Sequence, residues 1–201
     1  ERRFFPIRAP FVMTANGSTQ SIFPPVSAVL QAVGVGLFGL RGMIAISVIA
    51  AWVTLVCSLR LAPPRARIPV VLALGLASPL WFYAVSGWHH AAGMAAGVGA
   101  FMASLTLTGP LAPLAAGLAL GAGAALRDEV ILLAPGVGFA LWLRRRKMSP
   151  LVLMTAGAIA ALAASAAIEV FWFDRPAAAH LRHAVHLLQR HEVGAEVADD
   201  A

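Results

Sequence analysis

Apolar residues form long runs along this chain, and polar residues collect in short segments between the runs. An α-helix rises about 1.5 Å per residue, so about 20 apolar residues cross the roughly 30 Å hydrocarbon layer of a membrane. Six runs reach or approach that length, and the pattern therefore predicts an all-α fold, a polytopic bundle of about six transmembrane helices. The runs are residues 42–59, 69–86, 89–108, 111–126, 129–143 and 149–172.

Two of these runs, 111–126 and 129–143, are short, and the charged segment 127–129 separates them. A turn at one membrane face, with both helices tilted or partly sunk, would accommodate this pattern. A further run at 26–40 follows two prolines and is rich in Gly. We interpret it as an interfacial helix that leads into the first span.

The predicted organisation has four parts. An external loop segment at 1–23 precedes an interfacial helix at 24–41, the transmembrane bundle covers 42–172, and an external amphipathic tail covers 173–201. Residue 1 is Glu, and no basic-then-apolar signal peptide follows it. We therefore expect the chain to be an N-terminally truncated fragment of a longer protein.

Basic residues predict the orientation of the bundle. The loop 60–67 carries three arginines, and the loop 144–147 is Arg-Arg-Arg-Lys. The positive-inside rule places both loops in the cytoplasm, and counting the predicted crossings puts them on the same side. The turns near 87–88 and 127–129 then face outward, together with residues 1–23 and the tail.

Composition supports a membrane location. The 201 residues are 60% hydrophobic and 12% charged, whereas a soluble domain carries about 25% charged residues. The pI of about 11.2 would suit a nucleic-acid binder, but the basic residues form short clusters between apolar runs rather than a basic face. We predict a multi-pass protein of the cell inner (plasma) membrane, with membrane lipids and no nucleic acid as partners. The single Cys57 excludes an internal disulfide.

Glycine spacing predicts close contact between helices. Gly93 and Gly97 form one small-x-x-x-small pair, and Gly117 and Gly121 form another. Ordinary packing in an Ala-rich bundle is the alternative explanation.

The segment Arg127-Asp128-Glu129 is the first candidate site. A charge within a membrane segment costs roughly 3 kcal/mol on insertion scales, so a retained cluster pairs internally or faces a ligand. The planar fork of Arg127 suits a phosphate, because it can donate two hydrogen bonds to one anion. The alternative is an interfacial turn in which Arg127 only pairs with Glu129 or Asp128.

Trp88-His89-His90 is the second candidate, an external turn near that site. Trp88 would form part of an aromatic belt with Trp81 and Tyr83. A histidine could carry a proton near neutral pH, and interfacial residues without chemistry are the alternative. Adjacent residues on a helix point about 100° apart, so His89 and His90 make a poor metal pair.

The tail holds a second histidine group, in which His183 and His186 share a helix face with Leu187 and Arg190. No carboxylate or Cys completes a zinc site at a recognised spacing. We therefore predict no metal, leave any cofactor open, and interpret the tail as an amphipathic helix on the external membrane surface.

Four passages resemble the GT-C superfamily of membrane glycosyltransferases, in the bacterial mannosyltransferase-like branch related to protein O-mannosyltransferases and aminoarabinose transferases. They are PFVMTANGSTQSIFPPVSAVLQAVGVGLFGLRG, SPLWFYAVSGWHHA, AAGLALGAGAALRDEVILLAP, and the basic loop and span that lead to an external segment. The resemblance covers nearly the whole chain and rests on the order and spacing of these passages. Trp88 and His90 match the polar positions of the family's aromatic external turn, and Arg127 and Glu129 match the end of its Gly-rich span.

The resemblance implies transfer of a sugar from a polyprenyl-phosphate donor to an acceptor on the external side, with a lipid-phosphate site at Arg127 and Asp128 and Glu129 as supporting acids. The family's catalytic Asp lies early in the first external loop, and here Glu1 is the only acid before Asp128. The catalytic residue therefore stays unassigned. We expect the full-length protein to be a glycosyltransferase and this chain alone to be incomplete. The alternatives are a non-catalytic multi-pass protein, such as a transporter or flippase-like subunit, and a membrane scaffold.

Overall fold

Helices form nearly all of the described chain. The computed structural model describes residues 12–15, 18–21 and 24–173. Two short strands come first, followed by eight α-helices and two 3₁₀ helices. In chain order they are β1 (Val12–Ala15), β2 (Ser18–Ser21), α1 (Pro25–Phe38), α2 (Leu40–Leu61), a first 3₁₀ helix (Pro64–Ala66), α3 (Arg67–Gly75), α4 (Leu80–Ser86), α5 (His90–Thr106), α6 (Ala112–Leu126), a second 3₁₀ helix (Asp128–Leu133), α7 (Ala134–Arg145) and α8 (Ser149–Phe173).

The chain divides into two compact units, one of Glu1–Pro25 with Ala166–Ala201 and one of Val26–Ser165. In the first unit, β1 and β2 form an antiparallel hairpin in which Val12 pairs with Ser21. This hairpin lies inside the segment 1–23 that the sequence predicted as a loop. Of the predicted tail 173–201, the structure describes Phe173, the last residue of α8, and the four histidines of the tail lie outside the described residues.

In the second unit, the predicted interfacial helix forms α1 and is joined to α2 at Gly39. Gly39 has a φ of 62°, a conformation that glycine adopts without steric cost. The turn brings the backbones of Gly34 and Gly42 together, and a methyl group on Gly42 would overlap the carbonyl of Gly34. Only glycine permits this approach between α1 and α2.

Each of the six predicted spans coincides with helical structure, but not all are continuous helices. Within the described residues, α2 and residues Ser149–Phe171 of α8 are long and apolar enough to cross a membrane. A third candidate is the segment Pro64–Gly75 with Leu80–Ser86, which is bent by 50°. The structure thus supports two or three spanning helices and indicates a membrane protein, and the finer prediction of six spans stays a prediction.

The bend between α3 and α4 has a local cause. Pro79 cannot donate a backbone hydrogen bond to the preceding turn. Ser78 takes over part of that role, because its hydroxyl donates to the carbonyl of Leu74 at 2.6 Å and accepts from the amide of Leu80 at 3.2 Å. The apolar run is therefore continuous in sequence while the helix is not.

The core of the second unit lies where α5, α6, α7 and α8 meet. Its buried members are mostly aliphatic and include Leu120, Val137 and Leu141. Gly117 and Gly121 face α8 so closely that a methyl group on Gly121 would lie 2.5 Å from the carbonyl oxygen of Ala158. The predicted close contact at this glycine pair is confirmed.

The outward surface of the long helices is apolar. On α2, Ile49 and Trp52 are each 62% exposed, and on α8, Val152 is 67% exposed. Soluble monomers rarely expose contiguous apolar areas of this kind. Lipid is the environment in which such a surface is stable.

Loops that the sequence assigned to opposite membrane faces lie at opposite ends of α5. At its C-terminal end, Arg144 donates to the carbonyls of Ser104 at 3.2 Å and Leu107 at 2.7 Å, and Arg145 donates to Gly109 at 3.0 Å. These arginines satisfy carbonyls that a helix end leaves without partners. The turn at 87–90 and the segment 127–129 lie at the other end of α5.

Candidate functional site

Two breaks between helices meet at the N-terminal end of α5. The aliphatic stem of Arg127 lies against Gly93, on the first turn of α5, and a methyl group there would be 3.2 Å from Cγ of Arg127. The helix α5 begins at His90, one turn earlier. The structure therefore places the charged segment 127–129 beside the Trp88-His89-His90 turn. These are the two candidate sites that were predicted from the sequence.

Backbone geometry sets the position of Arg127. The helix α6 ends there because Arg127 is extended, with φ −153° and ψ 116°, and its amide makes the last helical bond, to Gly123 at 2.8 Å. The second 3₁₀ helix begins at the next residue, and the amide of Val130 donates to the carbonyl of Arg127 at 3.0 Å. The guanidinium thus projects from a junction between two helical segments.

Arg127 and Glu129 form a bidentate ion pair. Nε of Arg127 donates to Oε2 of Glu129 at 3.1 Å, and Nη2 donates to Oε1 at 2.8 Å. The side chain of Arg127 is 24% exposed and that of Glu129 is 64% exposed. Among the described residues no hydrogen bond engages Nη1 of Arg127. The pair therefore fixes the plane of the guanidinium and leaves donors on its far edge for an added acceptor.

The ion pair shifts the pKa of both partners. These groups lie in the breaks, outside the helices long enough to cross a membrane. The hydrogen bond with Glu129 raises the pKa of Arg127. The same hydrogen bond stabilises the charged carboxylate of Glu129 and lowers its pKa to about 2. Both groups are thus charged at neutral pH.

Three rings lie close to the ring of His90. Its ring centroid lies 4.4 Å from Tyr83, 5.3 Å from Trp88 and 4.9 Å from His89, while Tyr83 and Trp88 stack at 6.3 Å. We call these four residues the aromatic cluster. Nδ1 of His90 is buried and has no hydrogen-bond partner among the residues that the structure describes, an uncommon state for a buried polar atom.

The histidines of the aromatic cluster are held neutral. Burial, and then the charge of Arg127, lowers the pKa of His90 to about 4. Burial and the same charge also lower the pKa of His89. The site at pH 7 therefore combines one paired guanidinium with two uncharged imidazoles.

Residues from α1 and α2 support the turn. Nε2 of Gln31 donates to the carbonyl of Gly87 at 2.6 Å, and the hydroxyl of Ser47 donates to the carbonyl of Trp88 at 3.3 Å. Gly87 has a φ of 70°, which favours glycine. Gln31 and Ser47 were not predicted from the sequence, although each is a polar residue inside an apolar run and could have been recognised by that contrast.

Tyr83 and Gly93 were also not assigned to the site, although each was noted for another role. Tyr83 was placed in an aromatic belt with Trp81, which is 68% exposed, whereas Tyr83 turns toward His90. Gly93 was predicted to contact a helix, and its carbonyl oxygen lies 3.5 Å from the position of a methyl group on Gly123 of α6; it also contacts the side chain of Arg127. Both assignments depend on the rotational phase of a helix against its neighbours.

Glu169 is a further residue that the sequence analysis missed. It lies near the C-terminal end of α8, in the first unit, and is 2% exposed. An ionisable residue inside a predicted span was the available signal.

Metal ligands do not gather at the site. Within the part of the chain that the structure describes, no three His, Cys, Asp or Glu side chains are grouped so that they could hold a metal ion. The site as described offers hydrogen-bond donors and ring faces, a combination suited to an anionic organic ligand.

No family model, curated protein or solved structure matches the chain. The resemblance to GT-C glycosyltransferases therefore stays a prediction, and we infer a function from the geometry of the site.

Proposed function

We propose that this chain carries the lipid-phosphate site of a membrane glycosyltransferase, which moves a sugar from a polyprenyl-phosphate donor to an acceptor on the external side. The observation that carries the proposal is the guanidinium of Arg127, which is oriented by Glu129, 24% exposed, and placed between short helices in an apolar protein. Charged groups are costly in such surroundings and are retained where a ligand or a partner needs them.

The surroundings of Arg127 suit the three parts of such a donor. The open edge of the guanidinium can donate to phosphate oxygens. The aromatic cluster offers apolar ring faces beside it for a sugar. Beyond Glu129, Ile131 and Leu132 of the second 3₁₀ helix are 40% and 76% exposed and would lie along a polyprenyl chain.

Arg127 would contribute to the reaction by stabilising charge. In the transfer, the bond between the sugar's anomeric carbon and the phosphate oxygen breaks, a bond to the acceptor oxygen forms, and the lipid phosphate leaves with added negative charge. A positioned guanidinium lowers the barrier to such a step. The group that accepts the acceptor's proton is not assigned to a residue.

Donor binding tests the proposal in nanodiscs, with polyprenyl phosphate alone and polyprenyl-phosphate mannose as probes. Arg127→Lys keeps the charge but loses the two-pronged geometry. A lost charge-assisted contact is worth about 1.5–3 kcal/mol, so the affinity for both probes should fall roughly ten- to a hundredfold.

Arg41→Gln is the matched control, because Arg41 is exposed at the start of α2 and its loss removes one charge without touching the site. Thermal unfolding of each variant separates binding from folding. Unchanged affinity in a well-folded Arg127→Gln protein would remove Arg127 from the site. Lower stability of Arg127→Gln, with Lys an adequate replacement, would support a purely structural ion pair.

A second candidate is a flippase-like transporter, and the discontinuous helices favour it. Transporters build substrate sites from broken helices, and α3 and α4 are bent by 50° at their break. Proteoliposomes loaded with a fluorescent polyprenyl-phosphate sugar distinguish the two candidates. Movement of the lipid between leaflets without transfer of its sugar would favour the transporter.

A further inference from the structure

An apolar groove lies away from the Arg127 site, between the C-terminal end of α2, the helix α3 and the middle of α5. Its volume is about 550 Å³, and its lining includes Leu61, Val70, Leu74, Val98 and Phe101. That volume is within the range of about 300–1,000 Å³ that is ordinary for ligand sites. Ser58 is the one residue with a side-chain polar atom among those that line it.

Three arginines are neighbours in sequence of residues that line the groove. Leu61 and Ala66 line the groove. Arg60 directly precedes Leu61 in the sequence, and Arg65 and Arg67 stand on either side of Ala66. All three arginines are exposed, and in residues 24–173 none makes a hydrogen bond or an ion pair with another side chain. The sequence holds no Asp or Glu between residues 2 and 127, so the acids nearest in sequence lie far along the chain.

We propose that this groove binds an anionic phospholipid, with an acyl chain against the apolar lining and the headgroup phosphate at Arg60, Arg65 and Arg67. Charge complementarity identifies the occupant, because arginines that pair with no side chain within residues 24–173, next in sequence to the lining of an apolar groove, match a molecule with an anionic head and an apolar tail. Basic pockets between transmembrane helices bind such headgroups. A basic loop alone attracts an anionic surface, whereas the groove adds a place for one particular lipid. The proposal is independent of the function proposed for Arg127.

Native mass spectrometry tests the proposal on the whole chain released from nanodiscs of phosphatidylcholine with added phosphatidylglycerol. Wild type should retain one phosphatidylglycerol in preference to phosphatidylcholine. Each basic residue near a membrane surface strengthens such binding by about fivefold, so Arg60→Gln/Arg65→Gln/Arg67→Gln should weaken retention roughly a hundredfold.

A matched triple variant, Arg41→Gln/Arg146→Gln/Lys147→Gln, removes the same charge elsewhere and should retain the lipid. Equal loss in both triple variants would overturn the site in favour of general charge attraction.

A second pair of variants tests the groove itself. Ala73→Phe fills the groove, since Ala73 lines it, and should also abolish retention, while Ala45→Phe on the exposed surface of α2 should not. Thermal unfolding in phosphatidylcholine alone checks that each variant folds. Full retention of phosphatidylglycerol by Ala73→Phe would show that no acyl chain occupies the groove. Displacement of phosphatidylglycerol by soluble glycerol phosphate would show that only the headgroup binds. Either outcome overturns the proposal.

Discussion

The substitution Gly93→Ala should weaken ligand binding without weakening the fold. The added methyl group would lie 3.2 Å from Cγ of Arg127 and 3.3 Å from its Cβ and Cδ, closer than the roughly 3.5–4.0 Å of an ordinary carbon contact. The arginine stem is flexible, so it should move by a few tenths of an ångström rather than disrupt α5. That movement would carry the guanidinium out of register with its ligand.

Two free-energy terms set the expected magnitudes. Alanine in place of glycine within a helix stabilises the helix by about 0.5–1 kcal/mol. This gain offsets the strain of the tight contact, so the free energy of unfolding should change by less than about 1 kcal/mol. Losing most of one charge-assisted hydrogen bond, about 1.5 kcal/mol, should lower the affinity for polyprenyl phosphate about tenfold. The two effects therefore separate stability from binding.

Gly99→Ala is the control, because Gly99 lies on the same helix and a methyl group there meets nothing within 4 Å. It should gain the helical stabilisation and bind as wild type does. The assay is titration of polyprenyl phosphate in nanodiscs beside thermal unfolding of each protein. Equal affinities of Gly93→Ala and Gly99→Ala would refute the placement of Arg127 at the ligand.

Three further predictions concern pH and packing. Because the pKa of His90 falls from 6.5 to about 4 on folding, the unfolded state binds more protons between these values. Stability should therefore fall as pH drops through this window, by about 1 kcal/mol after solvent screening, and His90→Phe should reduce this slope in thermal unfolding, leaving the part that comes from the lowered pKa of His89. The pKa of Glu129 is lowered to about 2, so its contribution is present above pH 4.5 and lost below it, and Glu129→Gln should flatten the unfolding curve between about pH 4.5 and 2. Gly117→Ala should lower the free energy of unfolding by about 1–3 kcal/mol, because the methyl group would overlap the carbonyl of Met154. Gly138→Ala is the control and should lower it little, because a methyl group there would lie an ordinary 3.6 Å from its neighbours.

The long helices could be predicted from sequence because hydropathy alone defines them. The run 42–59 corresponds to Leu40–Leu61 and the run 149–172 to Ser149–Phe173. The break in the run 69–86 could not be predicted in the same way, since it depends on how Ser78 and Pro79 redirect a few hydrogen bonds. A pattern of apolar residues is the same for a straight helix and a bent one.

The candidate site was partly predictable for a related reason. Arg127 and His90 stand out as polar residues against an apolar background, and that contrast is present in the sequence. The roles of Tyr83 and Gly93 depend on which helix faces contact each other, and several phases are compatible with a helix that is apolar on all sides. Sequence therefore indicated the charged groups, and packing determined which residues surround them.

The proposed function requires that the guanidinium of Arg127 contacts the phosphate of a lipid-linked sugar. Solid-state NMR of the protein in lipid measures this directly, as dephasing between ¹⁵N in labelled arginine side chains and ³¹P in added polyprenyl phosphate. With phosphatidylcholine as the bulk lipid, we expect an added ¹⁵N–³¹P contact at hydrogen-bond distance that appears with the polyprenyl phosphate and is absent in Arg127→Lys. The same contact persisting in Arg127→Lys, or no contact in a wild-type protein that binds the lipid, would contradict the claim.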